Sequence, residues 1–366
     1  MSVDTDHAVS LPRGGPRRAA IIGTGLIGGS VGMALRKQGW HVSVIDIDGA
    51  VAQQAVDLGA ADRVGPDPDA EITFIAAAVG SIPALALHTL ENTAGIVTDV
   101  GSTKAEICRL VQHPRFVGGH PMAGSEQDGI VGADPDLFGG AMWVLTPTSA
   151  TDEAAFATVA SVVRQFGCEV IALAPEVHDN LVAQVSHVPH LTAASLMCMA
   201  ADTSVEHRAL LRLAAGGFRD MTRISSGRAS IWPDICIANR EAIVAGLGRL
   251  IEGLEGVRGL VTNQDRAGLL DLLNKARTAR INLPTGYGVV ERVAEISVPI
   301  PDRPGEIAAI ATLAAELDVN ILDLEISHSS EGARGVIQLM VDAALGERLV
   351  GGLMARGYHP TLHQLD

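Results

Sequence analysis

The segment RRAAIIGTGLIGGSVGMALRKQGWHVSVIDID constrains this chain more than any other. Residues 19–22 form a short apolar run of strand type, Gly23, Gly25 and Gly28 follow it, and a helical pattern then runs through Lys37. A second strand-like run, His41–Ile45, ends at Asp46. A glycine turn between strand and helix, with an acid closing the next strand, is the fingerprint of a dinucleotide site. Gly23 makes the tight turn, Gly25 lets the backbone approach a pyrophosphate, and Gly28 permits close helix–strand packing. Leu26 and Ile27 open the helix whose first amides face the anion. Asp46 is placed to bind the adenosine ribose hydroxyls, and its charge repels a 2′-phosphate, so NAD is favoured over NADP.

Further units of the same kind follow. EITFIAAAV, AGIVTDV and FVGGH read as buried parallel strands, and AMWVLTP and CEVIAL as later strands separated by a helix over residues 152–165. The expected fold is an α/β Rossmann-type domain over residues 17–174, preceded by a disordered lead-in, 1–16. Residues 175–290 change to long helical patterns with more apolar surface than one small bundle needs, which suggests an all-α dimerisation domain and a homodimer. Residues 291–366 read strand, helix, strand, strand, helix, strand, a ferredoxin-like βαββαβ order.

Composition excludes several classes of function. The formal charge of −15 comes without a Lys/Arg cluster, which argues against nucleic acid as a partner. Cys108, Cys168, Cys198 and Cys236 are scattered with no CxxC pair, so neither a zinc site nor a disulfide framework is indicated, and a reduced, cytoplasmic protein fits best. No apolar stretch has the length of a membrane span, and the polar first residues carry no signal-peptide core.

The stretch GGHPMAGSEQDG is too rich in Gly and Pro for a helix or a central strand, and it sets His120 and Glu126 in one expected loop. In a parallel sheet, ligands sit beyond the carboxyl ends of the strands, so this segment and DVGSTK, with Ser102 and Lys104, should lie together at the nicotinamide end. Ser102 also fits a helix N-cap. His187 and His190 lie three apart and share a helix face, but no HExxH-type carboxylate accompanies them and no metal is expected. GGFRDMTRISSGRASIW concentrates Arg219, Arg223 and Arg228 near Asp220.

GTGLIGGS, DVGSTK, GGHPMAGSEQDG, VHDNLVAQVSHVPH and GGFRDMTRI with its following Trp occur in the order seen in prephenate and arogenate dehydrogenases, and the chain resembles that family from Arg17 onward. The tail, PDRPGEIAAIATLAAELDVNILDLEI, resembles an ACT domain, a small regulatory module. The resemblance implies NAD-dependent oxidative decarboxylation of a cyclohexadienol: prephenate to 4-hydroxyphenylpyruvate, or arogenate to tyrosine. It makes His120 the catalytic histidine that polarises the substrate hydroxyl, with Ser102 assisting. It makes Arg223 the carboxylate clamp oriented by Asp220, with Trp232 beside it, His190 and His187 in the substrate pocket, and Ser125 and Glu126 at its mouth. In the tail, Asp302, Pro304, Gly305 and Asn320 fall where such modules hold an effector, here an aromatic amino acid. The family usually carries Asp-Pro where this chain has Arg228-Ala229, which places an added cation near the pocket. An NAD-binding sensor is a distant alternative, which would not need His120, Ser102 and Arg223 together.

Overall fold

The computed structural model describes residues 16–125, 127–206, 210–282, 293–301, 303–328 and 334–365. Its internal contacts divide it into two units, Met1–Glu252 and Gly253–Asp366. Of the lead-in expected over residues 1–16, all but Pro16 lies outside the described residues.

The first unit begins with β1 (Arg18–Ile22), α1 (Leu26–Lys37), β2 (His41–Ile45), α2 (Gly49–Asp57), β3 (Arg63–Val64), β4 (Ile72–Ile75) and α3 (Ile82–Asn92). It continues through β5 (Ile96–Asp99), α4 (Ala105–Leu110), β6 (Phe116–Pro121), β7 (Met142–Thr146), α5 (Glu153–Arg164) and β8 (Glu169–Ala172). The strands form one sheet in the order β3-β2-β1-β4-β5-β6-β7-β8. Strands β1 to β6 pair in parallel, whereas β7 runs antiparallel to β6. The order reverses direction between β1 and β4, and the crevice at such a switch is where doubly wound sheets bind ligands. Ile21, Val42, Phe74 and Val117 are buried, which explains the near-continuous apolar runs of these strands.

Gly118, Gly119, His120 and Pro121 belong to β6 and are bonded along β7, so the strand reading of FVGGH holds and the loop expected of GGHPMAGSEQDG begins only after Pro121. Their composition reflects crowding. A Cβ on Gly118 would lie 2.3 Å from Thr146 Oγ1, and one on Gly119 would lie 2.6 Å from the Asp99 carbonyl oxygen.

Helices follow the sheet: α6 (Pro175–Val182), a π-helical turn Ala183–His187, α7 (Val188–Glu206), α8 (Gly216–Thr222), a 3-10 turn Arg223–Ser226, α9 (Trp232–Ala238) and α10 (Arg240–Thr262). Pro189 has no amide hydrogen to give the Val185 carbonyl, and the ladder before it slips by a residue, so that the Val188 N–H meets the Ala183 carbonyl. Ile237, Val244 and Ile251 on these helices stay exposed. No helix among the described residues is long and apolar enough to cross a membrane.

The second unit holds α11 (Arg266–Ile281), β9 (Val293–Pro301), α12 (Glu306–Glu316), β10 (Ile321–His328), β11 (Arg334–Asp342), α13 (Ala343–Ala355) and β12 (Thr361–Leu365). From β9 onward the elements run strand, helix, strand, strand, helix, strand, the order read from the tail, and their antiparallel sheet has the order β10-β11-β9-β12. Ile296, Val298, Ile310, Leu313, Ile337 and Leu349 pack its core.

Candidate active site

The glycines of the first turn meet three different demands. Gly23 has φ +97°, and a Cβ there would lie 2.4 Å from the Ala76 carbonyl oxygen at the end of β4. On Gly28 a Cβ would stand 2.0 Å from the Gly23 carbonyl oxygen, so α1 packs directly on the turn. Gly25 differs, with open space around its Cβ position. It caps α1 without a side-chain hydrogen bond, which leaves the first-turn amides of Leu26 and Ile27 to an outside acceptor. Asp46 accepts from the Thr24 amide at 2.7 Å and the Thr24 hydroxyl at 2.8 Å through one oxygen, and from the Asp48 amide at 3.0 Å through the other. Burial pushes this carboxyl up, but those bonds outweigh it and hold the pKa below its ordinary value. First-turn amides without a side-chain cap, free space at Gly25 and an ionised acid beside them fit the pyrophosphate and ribose of a dinucleotide.

This assignment separates two substitutions. Gly28→Ala is expected to lower stability by roughly 1–3 kcal/mol through overpacking. Gly25→Ala should leave the melting temperature nearly unchanged and weaken NAD binding about tenfold, some 1.4 kcal/mol. Thermal melts and calorimetry on both variants check it; equal loss of stability would place no cofactor at Gly25.

Beyond the next strands, DVGSTK and GGHPMAGSE meet as the topology requires. The buried Asp99 carboxylate accepts from the Gly101 amide at 2.8 Å and from the Gly119 amide at 3.1 Å. The Lys104 ammonium, wholly buried, pairs with Asp99 and donates to the Gly119 carbonyl at 2.8 Å. Lys104 therefore ties the β5–α4 loop to the strand that carries His120. Ser102 sits half-buried in that loop. The amides that begin α4 are capped elsewhere: the Asp179 carboxylate of α6 accepts from Lys104 N at 2.7 Å and Ala105 N at 2.9 Å.

His120 is buried, and its Nδ1 lies 2.8 Å from His178 Nε2. His178 Nδ1 in turn lies 2.7 Å from Asp179 Oδ1. Burial drives the His120 pKa well below the ordinary histidine value, and positive charge on His178, Lys104 and His187 would push the same way, so the ring is neutral at neutral pH. His178 and Asp179 were not read as site residues from the sequence, yet a signal existed. Pro175, His178, Asp179 and Val182 form the buried stripe of α6, and ionisable side chains on an inward stripe need a reason.

On α7 and its neighbours, His190 stacks on Trp232 with ring centroids 3.6 Å apart, and His187 meets the same indole edge-on at 6.0 Å. Asn239 Nδ2 donates to the Asp179 carbonyl at 2.8 Å, which orients the amide, and lies 3.2 Å from His187 Nδ1. That nitrogen accepts, so the neutral His187 ring carries its proton on Nε2 as a donor. Burial holds its pKa at about 4. The Arg223–Ser226 turn packs against α7, and a Cβ on Gly227 would approach His190 Cε1 to 4.0 Å. Arg223 and Asp220 are exposed, with Asp220 on α8 just before the turn. Ser125 is exposed and accepts from the Gln127 amide at 3.1 Å. Glu126 and Asp302 lie outside the described residues.

Residues 31–172 match the nucleotide-binding domain of prephenate dehydrogenase, and residues 174–275 match the dimerization domain of the same enzyme. Among individual relatives, the prephenate dehydrogenase of Bacillus subtilis is 31% identical over 336 residues, 87% of this chain and 90% of the relative. A cyclohexadienyl dehydrogenase of Zymomonas mobilis is 29% identical over 288 residues, 75% of this chain and 98% of the relative. Among solved structures, A. aeolicus prephenate dehydrogenase in complex with hydroxyphenyl propionate and NAD+ is similar with a TM-score of 0.70 and 27% identity, over 76% of this chain and all of that one (100%). Synechocystis arogenate dehydrogenase is similar with a TM-score of 0.63 and 30% identity, over 72% of this chain and 98% of that one.

Proposed function

The chain belongs to the prephenate dehydrogenase family, and from that premise we propose that it catalyses the NAD-dependent oxidative decarboxylation of prephenate to 4-hydroxyphenylpyruvate, a step of tyrosine biosynthesis. The observation that carries this reading is the buried, neutral His120 at the carboxyl end of β6, in the same sheet whose β1 carries the dinucleotide turn at its own carboxyl end.

The residues divide the work as follows. His120 accepts a hydrogen bond from the substrate hydroxyl, and Ser102 assists it. When bound, NAD+ takes the hydride from the hydroxyl-bearing ring carbon. Carbon dioxide leaves the opposite carbon, its bonding electrons complete the aromatic ring, and the oxygen ends as a phenol. No net proton is released, so any proton that passes to His120 returns to that oxygen. Arg223 holds a substrate carboxylate with its forked guanidinium. His190, His187, Asp220 and Trp232 line the pocket, and Ser125 stands at its mouth. Gly23, Gly25, Leu26, Ile27, Gly28 and Asp46 hold the cofactor.

Arogenate as substrate is a second reading, favoured by the similarity to the Synechocystis enzyme. Nicotinamide reduction with purified protein, prephenate or arogenate, each paired with NAD or NADP, decides between them. Turnover confined to prephenate with NAD is expected. Preference for arogenate would move the specificity to the Arg228 region, and activity with neither would reject the reading.

The proposed organisation is a nucleotide domain over residues 17–174, a dimerising substrate domain over 175–290 and a regulatory module of ACT type over 291–366. Exposed Ile237, Val244 and Ile251 on α9 and α10 support a homodimer, and four cysteines without disulfides support a cytoplasmic location. Asn320 lines an open depression of about 440 Å³ with Ala311, Asp318 and Ile321, and Pro304 and Gly305 open α12. With Asp302 they are proposed to hold tyrosine or another aromatic amino acid as an inhibitor. Calorimetry with tyrosine and phenylalanine should show heat and a changed rate; silence in both would leave the module structural.

A further inference from the structure

On the reading that His120 meets the substrate hydroxyl, we propose that Asp179, acting through His178, sets the tautomer of His120 and so keeps its Nε2 lone pair free for that hydroxyl. His178 and Asp179 are then positioning residues, one and two hydrogen bonds removed from the reacting atoms.

The run of hydrogen bonds is fixed at its Asp179 end. Asp179 accepts from two backbone donors, Lys104 N and Ala105 N, and a main-chain N–H has no other role to play. Its carboxylate is thereby anchored to the start of α4 and faces His178 Nδ1 at 2.7 Å. A carboxylate oxygen accepts, so His178 Nδ1 carries the hydrogen. In neutral imidazole the second nitrogen then has only a lone pair, and His178 Nε2 must accept at its 2.8 Å contact with His120 Nδ1. The hydrogen of His120 therefore lies on Nδ1, and Nε2 is the acceptor. Among the described residues Nε2 has no hydrogen-bond partner, while the residue is only 9% exposed. With His178 neutral, the opposite assignment would put two lone pairs or two hydrogens face to face along a buried run of three side chains, which costs a desolvated polar group its partner. A doubly protonated His178 would instead donate to His120 Nδ1 and leave the hydrogen of His120 on Nε2, the outcome the spectrum below would expose.

The same run can move charge. When the substrate O–H bond lengthens, the proton forms an N–H bond at His120 Nε2, and the resulting imidazolium donates from Nδ1 toward a neutral ring already oriented by Asp179. The proton returns to the phenol oxygen as the ring becomes aromatic, so His120, His178 and Asp179 end as they began.

Two substitutions and one spectrum test this in the full chain with NAD present. Gln at position 178 can accept from His120 Nδ1 through its oxygen and donate to Asp179 through its amide, whereas Leu can do neither. His178→Gln is expected to keep kcat within about tenfold of the parent, and His178→Leu to lose about 10²–10⁴-fold in kcat with KM little changed. Equal activity of the two would overturn the proposal, as would equal loss. Nitrogen-15 spectra of ring-labelled protein, with the His120 signals identified by their loss in His120→Asn, should show a protonated Nδ1 and a bare Nε2. A protonated Nε2 would overturn the proposal even if neither variant at position 178 folds. Failure of the parent protein to turn over prephenate or arogenate would instead sink the functional reading, and the spectrum would still decide the tautomer.

Discussion

Replacing His120 with Asn is expected to lower kcat by about 10²–10⁴-fold, the range that a positioned proton acceptor contributes, while NAD binds as tightly as before. Asn matches the histidine's reach toward His178 but cannot take a proton at neutral pH. The nucleotide turn at Gly23, Gly25 and Gly28 belongs to β1 and α1, whereas His120 closes β6, so the substitution leaves the cofactor's own contacts alone. Steady-state kinetics with prephenate and calorimetry with NAD give the two numbers. A fall of less than tenfold in kcat would remove His120 from the chemistry, and a parallel loss of NAD affinity would make it a structural residue of the cleft.

The second large effect falls on stability. Lys104→Met leaves the Asp99 carboxylate buried with two backbone amides and no cation, since Lys104 and Asp99 are both wholly buried. Removing one partner of such a pair costs about 3–5 kcal/mol, mostly as the desolvation of the charge left behind. For a domain of this size that corresponds to a drop of roughly 6–20 °C in melting temperature. Replacing both partners with apolar residues should recover part of the loss, because the uncompensated charge goes with them. A melt of Lys104→Met within about 2 °C of the parent would mean that the pair contributes little to holding β5 against β6.

What could be read from the sequence follows from how local each requirement is. The nucleotide turn was legible because its demands are met within a few residues: a positive φ at Gly23, a carbonyl against Gly28, and an acid at the end of the adjacent strand. The strands of the first sheet were legible because buried parallel strands are apolar throughout. His120 was assigned to the correct end of the sheet, in a segment legible both as strand and as loop, because the glycines before it answer to Thr146 and Asp99, which are contacts made only in the folded chain. From sequence Lys104 could be placed with DVGSTK at the nicotinamide end but given no role, and only Asp99 and the Gly119 carbonyl reveal it as a buried tie. The His120–His178 contact spans 58 positions along the chain, beyond any local pattern, although the polar residues on the inward stripe of α6 marked where to look.

Stoichiometry shows whether this cleft oxidises and decarboxylates one substrate in a single turnover. Purified protein is given prephenate and NAD, and reduced nicotinamide, carbon dioxide and 4-hydroxyphenylpyruvate are measured in the same sample. Equal amounts of all three are expected, and none of them from His120→Asn over the same interval. Reduced nicotinamide without carbon dioxide, or equal yields from His120→Asn, would contradict that expectation.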